Sequence, residues 1–187
     1  MSTKDNFRTH ALNLRKQHAG APLPSFLTTV SQLPIFSTAS AVALYLRCGV
    51  EPPTNDIIDH CHARGQHVGV PAWIPQTRVY AFCSLLHGEP LAPGHKHIKE
   101  PIDKRLTDTA IYDLFLIPGL IFDTHGTRIG HGKGYYDRLL AKRQSSAIVA
   151  ALIFDWQIST EPLPRESHDV LMDFIITPTR IIPCVTD

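Results

Sequence analysis

The sequence has few of the features that mark secreted, membrane or metal-binding proteins. Its four cysteines are widely spaced and form no Cys-x-x-Cys pair, so we expect reduced, buried thiols. No apolar run approaches the ~20 residues that a membrane-spanning helix needs. The first residues also lack the apolar core of a secretion signal. These absences predict a cytoplasmic protein with no membrane partner.

An excess of charge of either sign is also missing. Lys and Arg number 18 against 17 Asp and Glu, a formal net charge of +1, so no nucleic-acid or membrane-surface partner is expected. The 187 residues, 43% of them hydrophobic, suffice for one well-packed core. No internal repeat or low-complexity linker divides the chain. We therefore predict one domain over residues 1–187.

Apolar runs and helical patterns alternate along the chain. Strands are predicted at 41–46, 67–71, 78–85, 113–118, 147–154 and 173–177, and helices at 3–18, 25–33, 55–64 and 135–143. Thr54 is a candidate N-cap of the third helix, which Gly65 would end. The Pro- and Gly-rich segment 86–103 predicts a long loop, functional or disordered. The pattern predicts an α/β layered fold with a mostly parallel sheet.

A glycine-rich stretch at 128–138, Arg-Ile-Gly-His-Gly-Lys-Gly-Tyr-Tyr-Asp-Arg, is the main candidate site. Gly130, Gly132 and Gly134 leave a backbone that can turn its N–H groups toward an anion. Lys133 lies within the stretch, and the helix predicted after it presents a partly positive N-terminus. This loop suggests a nucleotide. A tight turn with a solvated charged face remains the alternative.

Two familiar nucleotide motifs do not match this stretch. The P-loop pattern requires Ser or Thr after Gly-Lys, where this chain has Gly134. The glycine spacing also differs from the dinucleotide fingerprint. A phosphate-binding loop here must therefore be of another kind.

The segment 116–138 resembles the signature of the 5-formyltetrahydrofolate cyclo-ligases, also called 5,10-methenyltetrahydrofolate synthetases. Glu51-x-x-Thr54, the segment 68–71, Glu100-Pro101 and the ending that contains His168-Asp169 are similar to further segments of that family, in the same order. The resemblance implies a Rossmann-like fold. It also implies an enzyme that uses ATP and Mg²⁺ to convert 5-formyltetrahydrofolate into 5,10-methenyltetrahydrofolate, releasing ADP and phosphate.

The resemblance also implies roles for individual residues. The ATP site would comprise Lys4, Arg8, Arg128, Gly130, His131, Gly132, Lys133, Gly134, Tyr135 and Tyr136. The folate site would comprise Leu46, Glu51, His131, Gly132, Lys133, Gly134 and Tyr135. Lys133, Arg128 and Tyr135 are the candidate catalytic residues. Asp137 and Asp169 match the carboxylates that bind the metal.

The chemistry agrees with these roles. A formyl oxygen is a poor leaving group, so ATP would phosphorylate it before N10 attacks the activated carbon. Such a transfer needs alignment and charge neutralisation more than a covalent nucleophile. Glu51 could accept hydrogen bonds from the N–H groups of the pterin ring. We expect a monomer that binds these two small molecules.

Other interpretations stay open. A non-catalytic nucleotide- or folate-binding relative is the main alternative, and a sugar-phosphate isomerase or transferase is a weaker one based on fold analogy. Without the resemblance, Asp137 could be a residue of the first helical turn that interacts favourably with the helix dipole. Asp169 could likewise be an ordinary turn residue. Trp73 and Phe82 are candidates for the folate pocket, although aromatics in strands are more often core residues. The histidine spacing does not favour structural zinc.

Overall fold

A computed structural model of the chain describes residues 3–185. Within that range the α-helices are α1 (Thr3–Gln17), α2 (Leu27–Val30), α3 (Pro34–Thr38), α4 (Asn55–Ala63) and α5 (Tyr135–Leu140). The strands are β1 (Ala41–Ala43), β2 (His67–Ile74), β3 (Val79–Ser84), β4 (Leu91–Pro93), β5 (Lys99–Pro101), β6 (Leu114–Ile117), β7 (Ile121–Phe122), β8 (Arg128–Ile129), β9 (Ile148–Leu152), β10 (Phe174–Ile176) and β11 (Ile181–Pro183). Short 3₁₀ turns occupy His95–His97, Thr109–Ile111 and Asp155–Gln157.

A seven-stranded sheet organises the fold, with the strand order β11-β10-β9-β6-β1-β2-β3. The pairs from β10 through β2 are parallel, and β11 and β3 are antiparallel at the two edges. The predicted α/β architecture with a mostly parallel sheet is therefore confirmed. In such a sheet the carboxyl ends of the parallel strands lie along one edge, where ligands usually bind.

The central strands are apolar on both faces because helices and loops cover both. Every residue of β6 is buried, and four of the five residues of β9 are buried. Phe26, Phe36 and Ile57 belong to the cluster on one face. Phe115 and Phe122 belong to the cluster on the other. Continuous apolar runs are the pattern expected for parallel strands covered on two sides.

A smaller apolar cluster lies outside the two faces of the sheet. Ala11 of α1 is fully buried there against Leu120, Ile121, Ile129 and Leu163. The antiparallel pair β7–β8 supplies two of these side chains. This cluster, which we call the satellite core, joins the N-terminal helix to the strand that leads into the glycine-rich stretch.

Some element boundaries differ from the predictions. Strand β1 ends at Ala43, and α5 ends at Leu140. The predicted helix at 25–33 is replaced by α2 and α3, since Pro34 begins a helix instead of closing one. Thr54 precedes α4 without capping it, because its hydroxyl donates to the Tyr45 carbonyl oxygen at 2.7 Å.

The predicted loop at 86–103 contains the two-stranded β4–β5 sheet. The four thiols are free, but Cys48 is exposed and Cys184 is only partly buried, so the expectation of four buried cysteines is wrong for these two. Among residues 3–185, no helix combines the length and the apolarity that crossing a membrane would require.

Candidate active site

A cavity of about 820 Å³ opens beside the segments that follow β1, β6 and β8. Helix α1 and the segment 166–169 complete its walls. Every residue that the family resemblance assigns to the site lines this cavity: Lys4, Arg8, Leu46, Glu51, Arg128, Gly130, His131, Gly132, Lys133, Gly134, Tyr135, Tyr136, Asp137 and Asp169. Segments far apart in the chain therefore converge where a ligand site is expected.

The glycine-rich loop has a backbone that side chains would disfavour. Gly132 and Gly134 have φ angles of +77° and +59°, in the left-handed region that glycine adopts without strain. A Cβ added at Gly132 would also come within 3.1 Å of the Arg8 guanidinium carbon. Helix α5 has only six residues, so side chains rather than a helix dipole dominate the charge of this loop.

Basic side chains surround the loop from two directions. Arg8 Nε donates to the Gly130 carbonyl oxygen at 3.1 Å, and Arg8 Nη1 lies 2.5 Å from Asp5 Oδ1. Arg138 Nη2 donates to the Lys133 carbonyl oxygen at 2.8 Å. The Lys133 side chain is exposed at the cavity and forms no ion pair within residues 3–185. Its ammonium is therefore available to an anionic ligand.

Both predicted metal-binding carboxylates form ion pairs with cavity cations. Lys4 Nζ lies 2.7 Å from Asp169 Oδ2 and 3.2 Å from Glu166 Oε1. Arg128 Nη2 lies 2.8 Å from Asp137 Oδ1. Burial alone would raise the pKa of Asp169, but the hydrogen bonds from Lys4 and from the Glu166 N–H hold it below its ordinary value. These hydrogen bonds therefore favour the ionised form of Asp169.

The segments that carry these two carboxylates are distant in sequence but contact each other in space. Asp137 Oδ1 lies 3.5 Å from the backbone nitrogen of Val170, the residue after Asp169. Within residues 3–185, Asp137 Oδ2 and Asp169 Oδ1 accept no hydrogen bond. No group of three or more His, Cys, Asp or Glu side chains in that range could hold a metal by itself. Two carboxylates with free oxygens nevertheless fit Mg²⁺, which completes its shell with phosphates and waters.

The segment after β1 forms the other side of the cavity. Glu51 Oε2 accepts a hydrogen bond from the Cys48 N–H at 2.9 Å, and Arg47 Nε donates to the Glu51 carbonyl oxygen at 2.9 Å. Burial raises the pKa of the Glu51 carboxyl above its ordinary value. The hydrogen bond from the Cys48 N–H and the positive charges of Arg15 and Arg47 lower the pKa, but by less. A carboxylate oxygen is thus fixed where N–H donors of a ligand would be recognised.

Aromatic rings form one wall of the cavity. The Tyr135 ring lies 4.8 Å from the Tyr80 ring and 6.5 Å from the Trp73 ring, between centroids. Lys96 Nζ lies 4.9 Å from the Tyr135 centroid, a distance typical of cation–π contacts. Trp73 thus supports the wall from behind. Phe82, the other aromatic candidate, is 2% exposed and belongs to the core.

Some cavity residues had no pattern that singled them out: Arg15, Tyr45, Tyr80, Lys96 and Glu166. Arg15 Nη2 donates to the Gly119 carbonyl oxygen at 2.9 Å. Partial burial, with the charges of Arg15, Lys96 and Arg8, lowers the pKa of His131. The only sequence signal for Lys96 was its position in a long basic loop.

Glu100 holds that loop against the sheet. It is 2% exposed, and its Oε1 accepts from the N–H groups of Trp73 at 3.1 Å and His95 at 3.3 Å. Lys104 Nζ lies 3.0 Å from Glu100 Oε2. A Cβ at Gly94 would come within 2.2 Å of the Glu100 carboxyl carbon. The Glu100-Pro101 motif therefore positions the loop that carries Lys96 into the cavity.

A mostly parallel α/β sheet with a basic glycine loop and paired carboxylates at one cavity is typical of an enzyme that acts on phosphorylated compounds. The model of the 5-formyltetrahydrofolate cyclo-ligase family matches residues 11–178. The chain belongs to this family, whose members are ATP-dependent ligases of folate metabolism. The prediction of an α/β enzyme of the cyclo-ligase family is thereby confirmed.

Individual relatives agree with this assignment. A 5-formyltetrahydrofolate cyclo-ligase of Saccharomyces cerevisiae is 30% identical over 176 residues, covering 79% of this chain and 82% of that protein. A mitochondrial one of Arabidopsis thaliana is 28% identical over 181 residues, covering 83% of this chain but only 65% of that protein. The solved structure of Aquifex aeolicus 5,10-methenyltetrahydrofolate synthetase has the same fold, with a TM-score of 0.83, 23% identity, and coverage of 100% of this chain and 95% of that one.

Proposed function

We propose that this chain converts 5-formyltetrahydrofolate into 5,10-methenyltetrahydrofolate with ATP and Mg²⁺, releasing ADP and phosphate. One observation carries this proposal. The glycine loop, its cations, the carboxylates of Asp137 and Asp169, and Glu51 line a single cavity. The family to which the chain belongs catalyses this reaction.

The basic side of the cavity would bind the phosphates. Lys133 and Arg128, with the N–H groups of residues 130–136, would hold the phosphates of ATP, and Lys4 and Arg8 would contact them from α1. Charge neutralisation by such fixed groups is the main need of phosphoryl transfer. Asp137 and Asp169 would hold the Mg²⁺, which would neutralise phosphate charge when bound.

The folate would occupy the side of the cavity formed by Leu46 and Glu51. The Glu51 carboxylate would accept hydrogen bonds from the pterin N–H groups, and Tyr135 would contact the ring. In this orientation the formyl oxygen would lie beside the glycine loop, and the γ-phosphoryl group of ATP would be transferred to it there. N10 then attacks the activated carbon, and phosphate leaves with the former formyl oxygen.

An absorbance assay tests this function. The purified chain with 5-formyltetrahydrofolate and MgATP should produce the methenyl chromophore and an equal amount of ADP. Omitting ATP should abolish the signal. Binding of both ligands in calorimetry without ADP release would identify a non-catalytic relative instead.

We further propose that residues 1–187 act as one domain, in a monomer, in the cytoplasm. Two observations support this. The cavity is lined by segments from Lys4 to Asp169, which pack around one seven-stranded sheet. The four free thiols suit a reducing compartment. Light scattering of the purified protein at the mass of one chain tests the monomer.

A further inference from the structure

A second cavity adjoins the proposed active site. Its volume is about 560 Å³, and Leu46 lines both cavities. Residues 46–51 separate the two: Arg47 lines the second cavity, and Cys48 to Glu51 line the first. We call this second cavity the side groove. A ligand that lies against Leu46 can extend from one cavity into the other.

The side groove combines apolar and cationic groups. Leu23 and Leu91 supply apolar surface in addition to Leu46, and Arg47 and Lys99 supply two positive charges. Arg47 Nε is fixed by the Glu51 carbonyl oxygen at 2.9 Å, while its Nη atoms form no hydrogen bond or ion pair within residues 3–185. Lys99 likewise forms no ion pair with the described residues. Both cations are therefore available to a ligand.

One acidic residue also lines the side groove, but its oxygens are occupied. Asp56 Oδ1 accepts from the Ile57 N–H at 2.9 Å, and Asp56 Oδ2 accepts from the Ser25 hydroxyl. Arg47 and Lys99 thus outnumber the single acid. The groove favours an anionic ligand with an apolar part.

The proposed reaction brings two ligands into the first cavity, whose volume is about 820 Å³. About 300–1,000 Å³ is the size of a pocket for one drug-sized ligand, and both ATP and a folate are of that size. The part of a folate that takes no part in the chemistry is a p-aminobenzoyl ring joined to a glutamate with two carboxylates. Its ring matches the apolar surface, and its carboxylates match the two cations.

We infer that the side groove binds the p-aminobenzoyl-glutamate tail of the folate, with Arg47 and Lys99 contacting the glutamate carboxylates. This inference rests on the proposed function and assigns the tail a site that leads away from the phosphates. Because both cations are exposed, each contact contributes modestly, and together they should lower the KM for the folate about three- to tenfold.

The test compares 5-formyltetrahydrofolate with 5-formyltetrahydropteroate, which lacks the glutamate. In the double variant Arg47→Ala and Lys99→Ala, the KM for 5-formyltetrahydrofolate should rise about three- to tenfold, with kcat and the KM for ATP unchanged. The KM for the pteroate should change less, because loss of the Arg47 Nε contact with Glu51 affects both substrates equally, so the ratio of the two KM values isolates the tail. The matched control is Lys142→Ala, which removes an exposed lysine outside both cavities and should change neither KM.

The possible outcomes separate this inference from the proposed function. An equal effect of the double substitution on both substrates, or no effect on either, would overturn the tail site. A rise in the KM for ATP would assign the side groove to the nucleotide instead. If the wild-type chain turns over neither substrate, the proposed function fails, and calorimetry of the same two ligands on the wild-type and double-variant proteins still decides the tail site.

Discussion

Lys4 Nζ and Asp169 Oδ2 lie 2.7 Å apart although 165 positions separate them in the chain. The pair joins the first turn of α1 to the segment that approaches the carboxylate of Asp137. Its lysine is one of the cations proposed to contact ATP, and its aspartate is one of the two carboxylates proposed to hold Mg²⁺. Two segments that are far apart in the sequence thus meet in one site.

This pair predicts a pH dependence of stability. The folded-state pKa of Asp169 lies below its ordinary value of 3.8, so ionised Asp169 stabilises the native state above that pH. The contribution is lost as the pH falls from that value through the folded-state pKa. Asp169→Asn should therefore cost more stability to urea at pH 7 than at pH 3. Asp103→Asn, at an exposed side chain, is the control, and an equal loss at both pH values would contradict the prediction.

Lys133→Ala should depress turnover far more than it perturbs folding. The lysine is exposed and unpaired among the described residues, and it is proposed to neutralise charge in the transition state. We expect kcat/KM for ATP to fall about 100-fold, with an unchanged melting temperature. Lys142→Ala is the control for loss of an exposed lysine. A variant that unfolds while each folded molecule keeps full activity would show that the phosphate role is wrong.

Asp137→Asn should raise the Mg²⁺ requirement. An amide keeps the shape of the side chain but removes the negative charge that pairs with Arg128 and is proposed to hold the metal. The Mg²⁺ concentration for half-maximal activity should rise at least about tenfold, read from a metal titration at saturating ATP. Asp155→Asn, which loses only a 3.2 Å ion pair with Arg180, should leave the titration unchanged. An unaltered titration of Asp137→Asn would exclude this residue as a ligand.

Glu51 predicts a pH dependence of folate binding. Burial raises the pKa of this carboxyl above its ordinary 4.5, so it takes up a proton earlier than an exposed glutamate as the pH falls. Protonation removes an acceptor for the pterin N–H groups, and the KM for the folate should rise with it. Glu51→Gln should have a raised KM that varies little over the same pH range. Parallel pH profiles of variant and wild type would rule out this role.

Gly132→Ala should impair nucleotide binding through the backbone. Its φ of +77° disfavours a side chain, and the new Cβ would press on the Arg8 guanidinium. We expect a several-fold rise in the KM for ATP and a stability loss of about 1 kcal/mol. Gly20→Ala is the control, since Gly20 has φ of +86° with open space around it; it should lose stability without any change in the KM. Equal KM values for both variants would argue against the loop assignment.

The sequence allowed the parallel sheet and the glycine loop to be predicted because both depend on local patterns. Strands β6 and β9 are continuous apolar runs, and the stretch at 128–138 has alternating glycines. The edge strand β11 and the β7–β8 pair could not be predicted, since two or three residues carry no periodicity. Thr54 shows a further limit: its hydroxyl bonds to Tyr45 rather than to its own helix, which depends on tertiary packing.

Arg15 and Lys96 illustrate why part of the site was missed. Each is an ordinary basic residue in its local sequence. Arg15 reaches the cavity because α1 packs on the satellite core, and Lys96 reaches it because Glu100 fastens its loop to β2. Contacts between distant segments of this kind leave no mark in the spacing of residues.

The satellite core has a consequence for how the protein loses activity on heating. The glycine loop emerges from β8, and Arg8 reaches it from α1, yet both depend on the few side chains around Ala11 and Leu163. This cluster has far fewer buried side chains than the two large clusters on the sheet. Heating, or shortening a side chain of this cluster as in Leu163→Ala, should therefore first separate α1 from the glycine loop. Activity should then be lost at a lower temperature than that at which the sheet melts.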